Sequence, residues 1–410
     1  MDVTRQEDLR ARNSAALLAR VAGAVDPPSR AALAVATGLT RTTVSALVDQ
    51  MVAAGLLEEV SPPGPTRGRP AQRLRLSGRR VAGLGVEVGV RHLAAGVADL
   101  TGATRALRVV PGDQRGLPPD VVLGRAADLA DAVARDAAGQ GLEVVGAAWG
   151  LPGLVDAGAG VVRLAPNLGW RDVHVAADLD RRGGPASAAG RPVLENEAAL
   201  AAVAEAWRPG PAGADGAAPQ SFLLVSGEVG IGAGVVVGGR LLRGAHGWGG
   251  ELGHVGVDPS GPVCGCGATG CLEVYAGQDA VLAAAGLDPD VSSAAEGGGA
   301  GAALAAAARS GDARALEALA GAGRALGVAA SSAVNVLDVD AVVLGGVYAP
   351  LVPWLGPPLA AGLVRRVLRA RVHPVEVRAA RRGTDAVVLG GAARVLQGAL
   401  ERPGHLLAGP

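Results

Sequence analysis

All three cysteines of this 410-residue chain fall in one short stretch, as Cys264, Cys266 and Cys271, and His254 stands ten residues before the first of them in GGELGHVGVDPSGPVCGCGATGCLE. Three thiolates and an imidazole are the donor set of a tetrahedral Zn²⁺ site, and the glycines between them let a loop double back so that all four converge. A structural zinc held by His254, Cys264, Cys266 and Cys271 is the expectation. The alternative is a disulfide plus a spare thiol. An odd cysteine count without a secretory leader argues against it and for a reducing compartment.

The length calls for two or three domains rather than one core. No run of 18 apolar residues is present, and the N-terminal MDVTRQEDLRARN is charged rather than signal-like, so a cytoplasmic protein that does not enter a membrane is expected. The net charge of zero conceals an asymmetry. Residues 1–80 carry twelve Arg against seven Asp and Glu, leaving 26 against 31 in residues 81–410. A module of charge +5 on a body of charge −5 is the layout of a nucleic-acid-binding arm attached to something else.

The first eighty residues follow the order of a winged helix-turn-helix. NSAALLARVAG forms a first helix, Pro27 and Pro28 interrupt the chain, and Ser29 is placed to cap a second helix through SRAALAVA. Thr37-Gly38-Leu39 then turns into TRTTVSALVDQMVAAG, where Val44, Leu47, Val48, Met51 and Val52 recur at helical spacing as a buried stripe. Gly55 ends that helix, LLEEV and AQRLRL read as short strands, and SPPGPTRGRP between them is the wing. Thr40, Arg41, Thr42, Thr43 and Ser45 at the start of the third helix, with Arg67 and Arg69 in the wing, are the candidate contacts to bases and phosphates. The plain alternative is a solvated helix start and a charged loop.

From Arg80 onward strands and helices alternate. VAGLGVEV, HLAAGVADL and RALRVV read as successive strands, VVLGRAADLADAVARDAAGQ as a helix and VVGAAWGLPG as a strand ending in a glycine turn. SFLLVSG, GAGVVVGGRLLRG and DAVVLGG begin a second set, with a long helix through ARALEALAGAGRALGVAASSAVNVL and a last one over AVVLGGAARVLQGAL. Segments 182–191, 209–220 and 285–303 read as surface loops. Two α/β halves with a cleft between them are expected.

The wing with Gly68-Arg69-Pro70 and the segments GLPGLVD, PNLGW, ENEAALAA, SGEVGIGAGVVVGGRLLRG, GELGHVGVDPSGPVCGCGATGCLE and VVLGGV occur in an order that resembles the ROK family of sugar kinases and sugar-responsive repressors. The resemblance implies an α/β chain with an N-terminal winged helix-turn-helix (1–78) and a two-lobed, actin-like ATPase fold (79–410). Its lobes would span about 79–200 and 201–385, and a C-terminal helix at 385–400 would return to the first. It further implies a structural zinc and a sugar bound between the lobes by Asn196, Glu197, Glu251, His254 and Glu273, with Asn167 a weaker candidate. A ring of carboxylates and an amide suits hydroxyls that both donate and accept. His254 would have one ring nitrogen on the metal and the other toward the sugar.

Departures from the kinase pattern decide what such a cleft does. ROK kinases carry D-x-G-G-T at the first phosphate loop, where this chain has Glu87-Val88-Gly89-Val90-Arg91, and Gly-Thr-Gly at the second, where it has Gly227-Glu228-Val229-Gly230. A carboxylate about 4 Å from a phosphate costs on the order of 4 kcal/mol at an effective dielectric near 20. Glu197 replaces the aspartate at the catalytic-base position and is one methylene longer. The expectation is therefore a regulator and not an enzyme: a homodimer or tetramer that acts as a repressor on a palindromic double-stranded operator and is released by a sugar. The alternative is an active ATP-dependent sugar kinase carrying a DNA-binding module.

Overall fold

The computed structural model describes residues 3–61, 72–184, 190–207, 220–288 and 299–407. Its first module contains α1 (Val3–Ala22), α2 (Arg30–Thr37), α3 (Arg41–Ala53) and an antiparallel pair, β1 (Leu57–Val60) and β2 (Arg73–Leu76), in register Leu57 to Leu76. Ser29 caps α2 by accepting from the Ala32 amide at 3.2 Å, and Gly38 ends it at φ +70°. Thr40 caps α3 in the same way. Val44, Leu47, Val48 and Met51 are buried as the spacing predicts, and Val52 is half-buried. The first helix starts ten residues before the Asn13 expected from the apolar pattern, which registers only the packed part of a helix. Arg67 and Arg69 lie outside the described residues.

Two sheets of identical topology follow. In the first lobe, β3 (Val81–Val88), β4 (His92–Asp99) and β5 (Thr104–Pro111) form an antiparallel meander, α4 (Pro119–Ala138) crosses over, and β6 (Glu143–Leu151) lies parallel to β3. A small three-stranded sheet, β7 (Leu154–Asp156), β8 (Val161–Ala165) and β9 (Trp170–Val173), leads through α5 (Val175–Arg182) to β10 (Val193–Asn196), parallel to β6, and then directly into α6 (Glu197–Ala206). The spatial order is β10-β6-β3-β4-β5.

The second lobe repeats it as β13-β12-β11-β14-β15. Here β11 (Phe222–Gly227), β12 (Ile231–Val237) and β13 (Arg240–Leu241) are antiparallel, followed by α7 (Glu273–Ala276), α8 (Gln278–Ala285), α9 (Gly299–Arg309) and α10 (Ala313–Leu337). β14 (Ala341–Gly346), α11 (Val352–Arg366), β15 (Glu376–Ala379), α12 (Ala386–Glu401) and α13 (Gly404–Leu407) complete the chain. GAGVVVGGRLLRG, read as one strand, is a hairpin. Gly238 and Gly239 take φ of +56° and +76°, the two-residue turn that a Gly-Gly pair favours between apolar runs. Residues 299–303, expected in a loop, open α9, because small alanines there pack against the 3₁₀ turn at Ala349–Leu351 rather than declaring a face by periodicity.

α6 and α12 lie between the two sheets. α6 rests on β12, where β-carbons at Gly232 and Gly234 would come within 2.8 Å of Ala198 Cβ and 2.4 Å of Ala202 Cβ. α12 rests on β3, where one at Gly85 would stand 1.8 Å from the Val388 carbonyl oxygen. The helices meet each other at Gly390, where an added Cβ would be 1.8 Å from the Leu200 carbonyl. A lobe boundary at residue 200 thus falls inside α6. The far end of α12 contributes Leu396, Ala399 and Leu400 to the same apolar cluster as Leu17, Leu18, Val44 and Met51 of the first module. Among the described residues no single helix is long and apolar enough to cross a membrane; the bent pair α2 and α3, which together have the length, turns by 119°.

Because backbone cannot retreat from a new methyl, Gly85→Ala is expected to destabilise the chain by about 3 kcal/mol. Gly383→Ala, where nothing lies within 4 Å, should shift stability by under about 0.5 kcal/mol. Urea melts of the two variants check the contrast.

Candidate metal centre and interlobe cleft

The cysteine loop closes on itself through short-range backbone pairing. The Cys264 amide donates to the Ala268 carbonyl at 2.7 Å, bridges join Val263 to Thr269 and Gly256 to Cys271, and Gly267 and Gly270 take φ of +92° and +67°. A Cβ at Gly270 would stand 1.6 Å from the Asp258 carbonyl oxygen, so the loop needs glycine there.

This fold brings the four candidate ligands together. One donor atom from each of His254, Cys264, Cys266 and Cys271 lies within 4.8 Å of all the others. Cys266 Sγ is 3.7 Å from Cys271 Sγ, and Cys264 Sγ is 3.9 Å from His254 Nδ1. Tetrahedral Zn–S bonds of about 2.3 Å give ligand-to-ligand edges of about 3.8 Å, so the residues present fit such an ion. Burial, with the neighbouring thiols Cys266 and Cys264, pushes Cys271 up to about 12. Three thiols this close ionise together only with a cation among them.

His254 turns Nδ1 toward Cys264 and Nε2 toward Glu251, whose Oε2 is 3.9 Å away. Burial raises Glu251 above the usual carboxylate range, with His254 opposing and Glu273 adding to the shift. Glu273, the first residue of α7, accepts from the Ile231 amide at 3.2 Å. Asn167 approaches from the other lobe, on a 3₁₀ turn that Gly169 ends at φ +72°. A Cβ at Gly230 would lie 2.7 Å from Glu273 Oε2 and 3.0 Å from Asn167 Nδ2, so both side chains point at one spot.

Asn196 caps α6, accepting from the amides of Ala198 at 2.9 Å and Ala199 at 3.3 Å and donating to the Gly153 carbonyl at 3.1 Å. One N–H of its amide is left for a ligand. Glu197 Oε2 is buried and has no hydrogen-bond partner. Burial first, then the charges of Glu228 and Glu87, push Glu197 well above the usual carboxylate range.

His92, not singled out from the sequence, lies between Glu87 and Glu228, the residues that stand at the two positions where the resemblance expects phosphate loops. Its Nε2 is 3.3 Å from Glu87 Oε1 on β3, and its Nδ1 is 3.1 Å from Glu228 Oε1 on the β11–β12 turn. Burial would lower its pKa, but the hydrogen bonds to Glu228 and Glu87 outweigh that and raise it to about 11. The ring is an imidazolium bonded to one carboxylate from each lobe. A signal existed in Gly89, where a Cβ would meet the ring at 2.7 Å, although only the fold reveals the contact.

In the first module, Arg41 and Thr42 are exposed at the N-terminus of α3. Thr40 and Thr43 are bonded to each other through their hydroxyls at 2.9 Å, and Ser45 is half-buried with its carbonyl taken by Arg30 at 3.2 Å. Arg30 also pairs with Asp49 at 2.6 Å and Glu59 at 2.9 Å, which ties α2, α3 and β1 together. A separate cavity of about 690 Å³ lies between the cysteine loop and α10, lined by Val257, Tyr275, Ala318, Ala322 and Ala325 among others. Its two carboxylates are already engaged, Asp258 accepting from the Tyr275 hydroxyl at 3.0 Å and Glu317 from Arg324 at 2.7 Å.

Known proteins show the same combination. The xylose repressor of Bacillus subtilis is 29% identical over 287 residues, covering 69% of this chain and 70% of that protein. Matches to the curated xylose repressors span 61 to 70% of their length. A crystal structure of a ROK family transcriptional regulator, a homolog of the E. coli MLC protein, superposes with a TM-score of 0.76 at 25% identity and covers 98% of both chains. A ROK family glucokinase from Streptomyces griseus, solved with glucose and AMPPNP, matches 77% of this chain and 99% of its own at a TM-score of 0.62 and 25% identity. The MarR family profile matches residues 11–68, over the helix-turn-helix, and the ROK family profile matches residues 83–398. The chain belongs to the ROK family.

Proposed function

We propose that the protein is a sugar-responsive transcriptional repressor that has given up phosphoryl transfer. One observation supports the reading: a DNA-binding module is joined to sugar-kinase-like lobes in which Glu87 and Glu228, at the two positions that the ROK resemblance assigns to phosphate loops, are bridged by His92 at 3.3 and 3.1 Å. The repressor relatives and the full-length likeness to a ROK regulator support it. The kinase reading is favoured by the glucokinase likeness, but Glu197 is one methylene longer than the aspartate expected there and is raised well above the usual carboxylate range, which suits a general base poorly.

In this reading Zn²⁺ is held by His254, Cys264, Cys266 and Cys271 and supplies rigidity, fixing the imidazole so that Nε2 faces the cleft. An unphosphorylated aldose binds through Asn196, Glu197, Glu251, His254 and Glu273, with Asn167 at its edge. Arg41 and Thr42, helped by Ser45, meet base edges or phosphates in the major groove, while Thr40 and Thr43 order the helix start. Arg67 and Arg69 of the wing add backbone or minor-groove contacts. A cytoplasmic homodimer or tetramer sets two such modules on a palindromic operator.

The packing suggests how the sites communicate. A ligand on Asn196 and Glu197 touches the first turn of α6, α6 is in backbone contact with α12 at Gly390, and α12 ends in the apolar cluster of the DNA-binding module. Sugar need only favour one arrangement of α6 and α12 to change the geometry of the paired recognition helices.

Three results are expected. Glu251→Ala leaves operator binding unchanged in a mobility-shift assay but abolishes release by sugar; release at the wild-type sugar concentration overturns its assigned role. Cys271→Ser lowers the zinc content from one per chain, measured by elemental analysis, and weakens sugar binding by about tenfold or more. The purified wild-type chain, mixed with Mg-ATP and glucose or xylose, produces no ADP above the sugar-free background, and sustained turnover would restore the kinase reading. Sugars are screened by thermal shift, where a hundredfold excess over Kd stabilises by about 2.7 kcal/mol.

A further inference from the structure

The carboxylates and imidazole at the back of the cleft join elements far apart in sequence. Glu87 ends β3 and His92 begins β4, both in the first sheet, whereas Glu228 belongs to the turn that opens the hairpin of the second. The two contacts of 3.3 and 3.1 Å use both ring nitrogens, so the imidazole is bonded to the two lobes at once. Arg91 in the same turn reaches toward Asp279 of α8 across the same gap, at 3.9 Å. Glu87 is 4% exposed, which removes much of the screening that weakens surface ion pairs.

In the ROK kinases that the chain resembles, the corresponding two turns are the expected phosphate loops. Here the anionic and cationic parts both belong to the chain. We propose that Glu87, His92 and Glu228 form an interlobe clasp that holds the two turns together without a nucleotide, so that the cleft closes on a sugar alone. The inference rests on the reading of the cleft as a sugar site, and it makes His92 and Glu228 positioning residues for that site rather than ligands of the sugar.

Physical consequences follow from breaking only one side. In Glu228→Gln the carboxamide keeps the size of the side chain but loses the charge that faces the imidazolium, and the closed arrangement loses population. Apparent affinity falls in proportion to the competent fraction, so closure dropping to about one tenth weakens sugar binding about tenfold. His92→Gln removes the cation and has the same effect. Because the two variants cut one connection, the double variant should be no weaker than either alone. His92→Lys returns a cation between the carboxylates, which a purely steric role for the ring would not reward.

The test measures sugar binding to the full-length chain by calorimetry, using a sugar that the thermal-shift screen identifies, together with small-angle scattering without sugar. Expected are a loss of about tenfold in His92→Gln and Glu228→Gln, no further loss in the double variant, recovery to within about threefold in His92→Lys, and a larger radius of gyration in both single variants. Unchanged sugar affinity in Glu228→Gln, or additive losses in the double variant, would overturn the clasp. If the wild-type chain binds no sugar, the functional reading fails by itself. The scattering arm then decides the clasp, with expansion of the single variants supporting it and identical profiles rejecting it. Zinc content measured on each variant shows that the metal loop has folded.

Discussion

The backbone contact of α12 with β3 and α6 is the constraint on which the rest of the molecule depends. Two helices can lie between two sheets at this separation only if side chains are absent where they cross. Gly85 on the strand and Gly390 on the helix supply that absence, since a methyl at either would fall inside a carbonyl oxygen. Close approach in turn fixes the N-terminus of α6, and hence Asn196 and Glu197, relative to the first sheet. The same α12 helix continues into the apolar cluster of the DNA-binding module, so one rigid element touches the reader, the first lobe and the helix that carries the sugar-facing pair.

Charge in the cleft has a logic of its own. A kinase of this architecture must leave its phosphate turns positively inclined and open. This chain instead buries Glu87 and sets a single imidazolium between Glu87 and Glu228, while burial and the nearby carboxylates raise Glu197. Buried ion pairs are seldom strong stabilisers, because desolvation offsets much of the attraction. Their value here is directional: a cation bonded to one carboxylate on each lobe sets how the lobes face each other. The metal loop complements this on the other side of the cleft, where one imidazole links the cysteine cluster to Glu251.

Reading the chain alone located most elements. The long helix over 313–337, the capped pair around Ser29 and Thr40, and the apolar stripe of α3 were legible because each is governed by neighbours in sequence. The four metal-ligand candidates were legible for a similar reason, being confined to one loop. The hairpin inside 232–244 carried its signal in Gly238-Gly239 yet was read as a single strand, and α9 was hidden by an alanine- and glycine-rich composition without a clear period. His92 escaped because nothing local distinguishes it from a surface histidine.

Sequence by itself determined the modules, their order, the candidate donor set of a metal centre and the departures from the kinase phosphate-loop pattern, since these depend on residue type and short spacing. Only the tertiary structure decided that α6 packs on the second sheet, that Asn196 is largely committed to capping, and that Glu228 meets His92. Those outcomes arise from contacts between segments about 30 residues apart, as for Ala198 and Gly232, to 136 apart, as for His92 and Glu228, or from competition among several partners for one polar group. Packing at glycine crossings and burial of charge select among the possibilities, and neither is written in any local pattern.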